Sequence, residues 1–181
     1  MTADEDQSSK ISETSSLARQ RRAARIAAVQ ALYEIEMTGI GIDAAVLEFV
    51  ENRWKDSVQN SDSESPVAPG FRRGMFTELV RGTAERQDDL DNMITAVLGP
   101  KRSLARLEVV LRAILRVACY ELTARLSVPA RVVISEYVAI SHEFFSGKEP
   151  TLANGVLDRL AWTLRPDELE ATKHETTNEE Q

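Results

Sequence analysis

Apolar residues recur along most of this chain at intervals of three and four residues. The longest run of this kind covers segment 107–122, where the apolar positions are Leu107, Val110, Leu111, Ile114, Leu115, Ala118 and Leu122. An α-helix has about 3.6 residues per turn, so this spacing places these side chains on one face. Shorter runs with the same spacing occur in segments 26–35, 46–54, 71–80, 90–98, 133–145 and 156–164. Because no sustained stretch alternates apolar and polar residues, the pattern predicts an all-α fold of about seven helices.

Glycine and proline residues divide this helical pattern. The first helix is predicted over about 17–37, a segment that contains neither residue type. The pair Gly99-Pro100 interrupts the chain near its middle, since proline lacks the N–H that a helix interior needs. We therefore expect two packed three-helix-type bundles, at about 17–98 and 101–166.

Two finer expectations concern single residues in these helices. Leu47 shares the spacing of its apolar neighbours and is predicted to face inward. Thr151 precedes the last apolar run and is the predicted N-cap of the last helix, because its hydroxyl can accept a bond from a free backbone N–H.

The two ends of the chain differ in composition from the helical domain between them. Segments 1–16 and 167–181 are polar, poor in apolar residues, and carry net charges of −3 and −5. Such segments bury too little apolar surface to offset the entropy of ordering, so both are predicted to be disordered acidic tails. They account for the formal charge of −7 of the whole chain and leave the domain at 17–166 nearly neutral.

The sequence contains few of the residue types and motifs on which enzymes commonly rely. The chain has two histidines and one cysteine, and no glycine-rich phosphate loop. Zinc sites need clusters of His, Cys, Asp or Glu, and a catalytic triad needs a histidine beside a nucleophile. Cys119 lies among apolar residues and is predicted to be a buried, inert thiol. We expect a protein that is not an enzyme, with no catalytic residue, no metal and no cofactor.

The sequence also predicts where the protein is located. No apolar run approaches the roughly 20 residues that a membrane helix needs. The N-terminal residues are acidic where a secretory signal would be basic, and no apolar stretch follows them. These features predict a cytoplasmic protein without membrane contact.

Four arginines stand close together near the start of the first helix. They are Arg19, Arg21, Arg22 and Arg25, and no acidic residue occurs between positions 14 and 33. Guanidinium groups that are not engaged in i,i+4 ion pairs can bridge phosphates or stack on bases. The cluster therefore predicts RNA binding. The alternative is a basic helix end that is merely solvated.

Further candidates for RNA contact lie outside this cluster. Tyr33 follows Arg25 by about two helical turns and either stacks on a base or occupies a core position beside Leu32. Lys101 and Arg102, with Arg106 nearby, form a second basic group where the two predicted bundles meet. We treat that group as a candidate extension of the RNA surface.

Several segments together resemble one known family, the bacterial NusB antitermination factors. In order they are RRAARIAAVQALYE at 21–34, FTELVRGTAE at 76–85, LRAILRVACYEL at 111–122, VPARVVISEYV at 128–138 and NGVLDRLA at 154–161. The resemblance implies a seven-helix fold of two three-helix bundles. It also implies binding of boxA RNA together with NusE, a small-subunit ribosomal protein, within an antitermination complex of RNA polymerase. Such complexes support read-through of terminators in operons such as those for ribosomal RNA.

The resemblance also assigns roles to particular residues. The family's arginine-rich segment falls on Arg21, Arg22 and Arg25, and its RNA-contacting tyrosine falls on Tyr33. Ala23 stands where the family has a central arginine, and Arg19 is the candidate replacement one turn earlier.

A second set of residues corresponds to the family's partner surface. The NusE-facing residues fall on Glu108, Leu111 and Arg112, although Leu111 stands where some members have an acid. Leu152 replaces a phenylalanine that often precedes the NGVLD string, which keeps the position apolar but removes an aromatic surface.

Two other functions remain open at this point. A purely protein-binding helical scaffold would leave the arginines solvated. A stand-alone relative of the N-terminal domain of ribosomal RNA cytosine methyltransferases would share the helical domain, while the catalytic domain of those enzymes lies downstream of it. The sequence leaves open whether the free protein is a monomer or a homodimer.

Overall fold

The computed structural model describes the backbone of residues 3–59, 72–100 and 102–171, and the side chains of residues 13–51, 72–100 and 102–171. Seven long α-helices and one 3-10 turn occur in these residues, which contain no β-strand. The helices are α1 (Ala3–Thr38), α2 (Ile42–Gln59), α3 (Arg73–Glu85), α4 (Gln87–Leu98), α5 (Val109–Ala124), α6 (Ala130–Phe144) and α7 (Glu149–Leu164). The all-α class predicted from the apolar spacing is confirmed.

The first of two compact units, Met1–Arg81, contains α1, α2 and most of α3. Gly39 adopts a φ of +70°, which glycine tolerates without strain, and this residue lets the chain turn between α1 and α2. The rings of Phe49 and Phe76 stack with centroids 5.6 Å apart and pack α2 against α3. Leu47 is 56% exposed, so its predicted inward position is wrong. Val46, Phe49 and Val50 form the buried face of α2, and Leu47 lies beside that face.

The second unit, Gly82–Gln181, is built around α5. This helix packs against α4, α6 and α7, as expected of the strongest apolar run in the sequence. Its buried residues include Leu111, Ile114, Leu115, Val117, Ala118 and Leu122. The guanidinium of Arg116 joins α5 to α4 through two bonds to the Asp91 carboxylate, at 2.7 and 2.8 Å. Such bidentate pairs fix the geometry of the two helices as well as contributing energy.

The boundary between these units differs from the one expected at Gly99-Pro100. It falls between Arg81 and Gly82, inside α3, and α4 therefore belongs with the C-terminal helices. The reason is packing, since α4 contacts α5 and α7 directly. Glycine and proline end a helix, but they do not determine which other helices that helix packs against.

The ends of the chain are also more helical than the composition suggested. Residues 3–16, expected in a disordered tail, continue α1. The segment has no glycine or proline, and Asp4, Glu5 and Asp6 lie at the helix N-terminus, where negative charge is favourable. Residues 166–171 form a further helical turn with Leu169 buried. The rest of the expected C-terminal tail, 172–181, lies outside the described residues.

The start of α7 also differs from the expectation. The helix begins at Glu149 with Pro150 in its first turn, and Lys148 occupies the N-cap position. Thr151 is therefore a helical residue, and its predicted capping role is wrong. Proline fits the first turn because the N–H that it lacks would have no intrahelical partner there.

Gly82 in α3 is required by close packing against α5. A Cβ atom at this position would overlap the ring of Tyr120. We predict that Gly82→Ala lowers the free energy of unfolding by roughly 1–3 kcal/mol, although alanine is the better helix former, because overpacking forces a shift of the ring. Urea denaturation of the variant measures this loss.

Gly74, on the same helix, provides the matched control for this substitution. It has open space around its Cα, so Gly74→Ala should leave stability unchanged or raise it slightly. Equal midpoints for Gly82→Ala and the wild type would show that Tyr120 moves aside without cost.

Candidate nucleic-acid interface

One face of α1 carries two of the candidate arginines and the candidate tyrosine. Residues on a helix advance by about 100° each, so Arg19, Arg22 and Tyr33 lie within roughly 60° of one another around the axis. Arg19 is exposed, Arg22 is half-buried, and the Tyr33 side chain is 39% exposed. We call these three residues the α1 face. The two cations can bind the phosphates of a single strand, and the aromatic ring can stack on one of its bases.

The exposure of Tyr33 decides between its two alternatives. The neighbouring Leu32 is buried and occupies the core position, whereas Tyr33 is open to solvent. The core alternative for the tyrosine is therefore wrong.

Arg21 and Arg25 do not belong to the α1 face. Arg21 is exposed but lies about 160° or more around the helix from Arg19, on the opposite side. Arg25 is 3% exposed, within the stretch 23–29 in which every residue is buried. A buried guanidinium with partners inside the protein has no access to a phosphate. The expected RNA contact of Arg25 is wrong for this structure, and Arg25 is a structural residue.

Of the second basic group, Arg102 lines an open cavity of about 420 Å³ beside the start of α7, and Arg106 does not belong to this lining. Arg102 is exposed at its edge, and the cavity lining adds two cations that the sequence reasoning missed, Lys148 and Arg159. Glu149 is the one acid in the lining. Lys148 and Arg159 stand three helical turns apart, a spacing that could have indicated a shared side. Lys101 lies outside the described residues.

Leu152 belongs to the same cavity. It is half-buried in the cavity lining, which also contains the exposed Thr151 and the half-buried Gly155. Leu152 stands where the resemblance indicates an aromatic residue in other family members. In this structure it contributes apolar surface to a cavity whose lining also contains basic side chains. An anionic ligand with an apolar part fits this combination of linings.

The three expected partner contacts have different environments. Glu108 is exposed at the N-cap of α5. Leu111 is 1% exposed and is part of the core, so its expected contact with a partner is wrong. The Arg112 guanidinium donates to the carbonyl oxygens of Ala105 and Leu107, at 3.2 and 2.7 Å, and braces the turn before α5. Glu108 thus retains the clearest access to a partner.

Among the described residues, the side chains that could bind a metal ion or act as a nucleophile differ in their surroundings. The described part of the chain contains no cluster of three or more His, Cys, Asp or Glu side chains that could hold a metal ion. Ser141 is buried and donates to the carbonyl of Val138 at 2.7 Å, while the adjacent His142 is exposed. Burial raises the pKa of Cys119 to about 12, and the Arg86 guanidinium only partly opposes this shift. The predicted burial of this thiol is confirmed.

None of the helices in the described part of the chain has the length and apolar character needed to cross a membrane.

The chain is similar to known proteins over most of its length. The model of the NusB family matches residues 22–162. "Transcription antitermination protein NusB" of Maricaulis maris (strain MCS10) is 45% identical over 160 residues, which cover 88% of this chain and 97% of that protein.

Two solved structures show the same similarity in three dimensions. The structure of T. maritima NusB has a TM-score of 0.67 and 26% identity, covering 83% of this chain and 96% of that one. A structure described as "Antitermination Factors NusB and NusE in complex with dsRNA" has a TM-score of 0.59 and 24% identity, covering 78% of this chain and 96% of that one. At this identity the second comparison shows a common fold.

Proposed function

The chain belongs to the NusB family, and from this membership we propose that it is an RNA-binding transcription antitermination factor that acts together with NusE. The RNA is a single-stranded element of the boxA type. The assembly then joins RNA polymerase in the cytoplasm and supports read-through, notably in ribosomal RNA operons. The observation that carries the proposal is the α1 face, on which Arg19, Arg22 and Tyr33 are accessible together.

Phosphate binding by the arginines is supported by their surroundings. Residues 14–33 include no acid, so Arg19 has no carboxylate on the adjacent turns of α1 to compete with a phosphate. Single-stranded nucleic acid is usually held by cations along the backbone and by aromatic side chains under the bases. The α1 face supplies both chemistries in one row.

The basic cavity beside α7 is the second candidate RNA surface. Arg102, Lys148 and Arg159 contribute positive charge there, and Leu152 contributes an apolar wall. We assign to it a phosphate contact that is separate from those of the α1 face. Because the two surfaces lie in different units, each is tested by its own variants.

The partner protein is supported by the family and by one accessible residue. A protein of the same fold has been solved with NusE and double-stranded RNA. Glu108 is exposed at the start of α5 and offers a carboxylate to a basic ribosomal protein. Because 97% of the Maricaulis maris relative is matched, that relative supports antitermination more strongly than a role as a methyltransferase N-terminal domain.

Titration of a labelled single-stranded boxA-type RNA, with and without NusE, tests this function. We predict binding that tightens when NusE is present and weakens with salt. Each neutralised phosphate contributes about −0.7 to the log–log salt slope for single strands, so two contacts on the α1 face contribute roughly −1.4. Sedimentation of the same samples gives the stoichiometry and decides between monomer and homodimer. Absence of RNA binding in both conditions would leave the protein-binding scaffold as the better explanation.

A further inference from the structure

The last turn of α1 carries a small apolar surface flanked by an acid. Tyr33 and Met37 are 39% and 57% exposed, and Glu34 between them is half-buried. Residues three and four apart are neighbours on a helix surface, so Met37 lies beside both Tyr33 and Glu34. We call these three residues the α1 patch. It continues the α1 face toward the helix C-terminus, since Met37 shares the angular position of Arg19.

Exposure alone does not distinguish this patch, because single exposed apolar residues are common. In the first unit, Leu17 and Leu47 are also exposed among the described side chains, at 42% and 56%. Leu17 lies on the side of α1 opposite Arg19, and Leu47 is on α2. Tyr33 and Met37 differ from both because they are adjacent to each other and in line with the arginines.

The backbone beneath the patch is firmly held. The Gly39 N–H donates to the Ile35 carbonyl at 2.9 Å. The Thr38 hydroxyl donates to the Glu34 carbonyl at 2.7 Å and accepts the Ile40 N–H at 3.2 Å. These bonds occupy carbonyls and an N–H that a frayed helix end would leave free. The α1 patch therefore presents a preorganised surface.

The charges around the patch disfavour a phosphate. A helix C-terminus carries a partial negative charge, and Glu34 and Glu36 add carboxylates near it. If the phosphates of a nucleic-acid strand bind Arg19 and Arg22, the part of the strand that contacts Met37 must be uncharged, as a base is. The apolar methionine and the tyrosine ring suit the flat face of a base, because sulfur and aromatic groups both pack well against π-systems.

We propose that the α1 patch receives one unpaired base and prefers a base with an exocyclic amino group, such as cytosine, over uracil. The preference arises from Glu34, whose carboxylate only accepts hydrogen bonds and so pairs with the N4 amino group of cytosine or the N6 amino group of adenine. Uracil presents a carbonyl oxygen at the corresponding position, which the carboxylate repels. This inference rests on the proposed RNA binding and adds its base preference.

Binding of two labelled 12-nucleotide RNAs, oligo(C) and oligo(U), at one salt concentration tests the proposal. The two pyrimidine strands carry equal charge, so the phosphate contacts cancel in the comparison. The wild-type protein should bind oligo(C) about five- to ten-fold more tightly, the size of one modest base contact. Glu34→Gln should reduce that ratio to about twofold or less, since the amide both donates and accepts.

Met37→Ala tests the stacking part of the proposal. It should weaken the binding of both RNAs by about five- to ten-fold, at the lower end of the range for loss of a stacking contact, and keep the ratio between them. Leu47→Ala removes a comparably exposed apolar side chain from the same unit and should leave both affinities unchanged. All three variants alter exposed or half-buried side chains, and circular dichroism verifies that each is folded.

The outcomes separate this inference from the function on which it rests. Equal affinity of the wild type for both RNAs, or wild-type affinity of Met37→Ala, would overturn the α1 patch while leaving RNA binding intact. A wild type that binds neither of these RNAs, nor a boxA-type RNA with or without NusE, would instead contradict the proposed RNA binding itself.

Discussion

Replacing Arg165 with methionine is expected to destabilise the protein by about 3–5 kcal/mol, the range for breaking a buried charged network. The Arg165 side chain is only 5% exposed. Its guanidinium donates to the carbonyl oxygens of Leu122 and Val128, each at 2.7 Å, and to those of Glu121 and Arg125, each at 3.2 Å. Methionine fills similar space and makes none of these bonds.

The position of these carbonyls explains the size of the effect. The last carbonyls of a helix have no intrahelical partner, and a cation near them interacts favourably with the helix dipole. Arg165 performs this role for α5. It also bonds Glu168 at 3.3 Å, and the second oxygen of that carboxylate accepts the Ala130 N–H at the start of α6, at 2.6 Å. One side chain thus supports the end of α5 directly and the start of α6 through Glu168.

Chemical denaturation of Arg165→Met and Arg159→Met measures this contribution. Arg159 is exposed and lies six residues earlier, on α7, so its replacement removes the same charge without breaking the network. The control should shift the unfolding free energy by no more than about 0.5 kcal/mol. Equal midpoints for the two variants would show that solvent or other donors replace Arg165 without loss.

Arg165 also shows what local sequence reasoning leaves out. The helices were predictable because their apolar spacing is a property of each segment alone, and the longest apolar run of the sequence lies mostly in α5. The partners of Arg165 lie about 40 residues away in the chain. The apolar periodicity of the sequence does not reveal such a contact.

The candidate interface was likewise predictable only as far as local spacing along α1 determines it. Clustered arginines indicated the RNA surface, and helical spacing already separates Arg21 from Arg19 and Arg22. Burial of Arg25 could not be obtained in this way, because it depends on what covers α1 around its whole circumference. Lys148 and Arg159 were missed for the related reason that they meet Arg102 only once α7 is packed.

The double variant Arg19→Gln/Arg22→Gln is expected to lose most of the phosphate contribution of the α1 face. Glutamine is a similarly good helix former, so the fold is preserved while two charges are removed. Loss of two phosphate contacts should flatten the salt slope by roughly 1.4, which corresponds to about 20-fold weaker binding near 0.1 M salt. Salt titrations with the labelled boxA-type RNA measure both quantities.

Arg21→Gln/Arg73→Gln provides a control with the same change in net charge. Both of its arginines are exposed in the first unit, and Arg21 lies on the side of α1 away from the α1 face. Its slope should remain close to that of the wild type. General repulsion between RNA and the more negative variants would instead affect both variants equally, so the comparison separates direct contact from overall charge.

Tyr33→Leu completes the comparison because it removes the ring without changing charge. If the ring stacks on a base, affinity should fall by about 1–3 kcal/mol while the salt slope stays near the wild-type value. The three variants thus give distinct signatures for phosphate contact, overall charge and stacking. A folded Arg19→Gln/Arg22→Gln variant with wild-type affinity and slope would remove the α1 face from the RNA interface. The phosphate contacts would then be sought at the basic cavity, first with Arg102→Gln and Arg159→Gln.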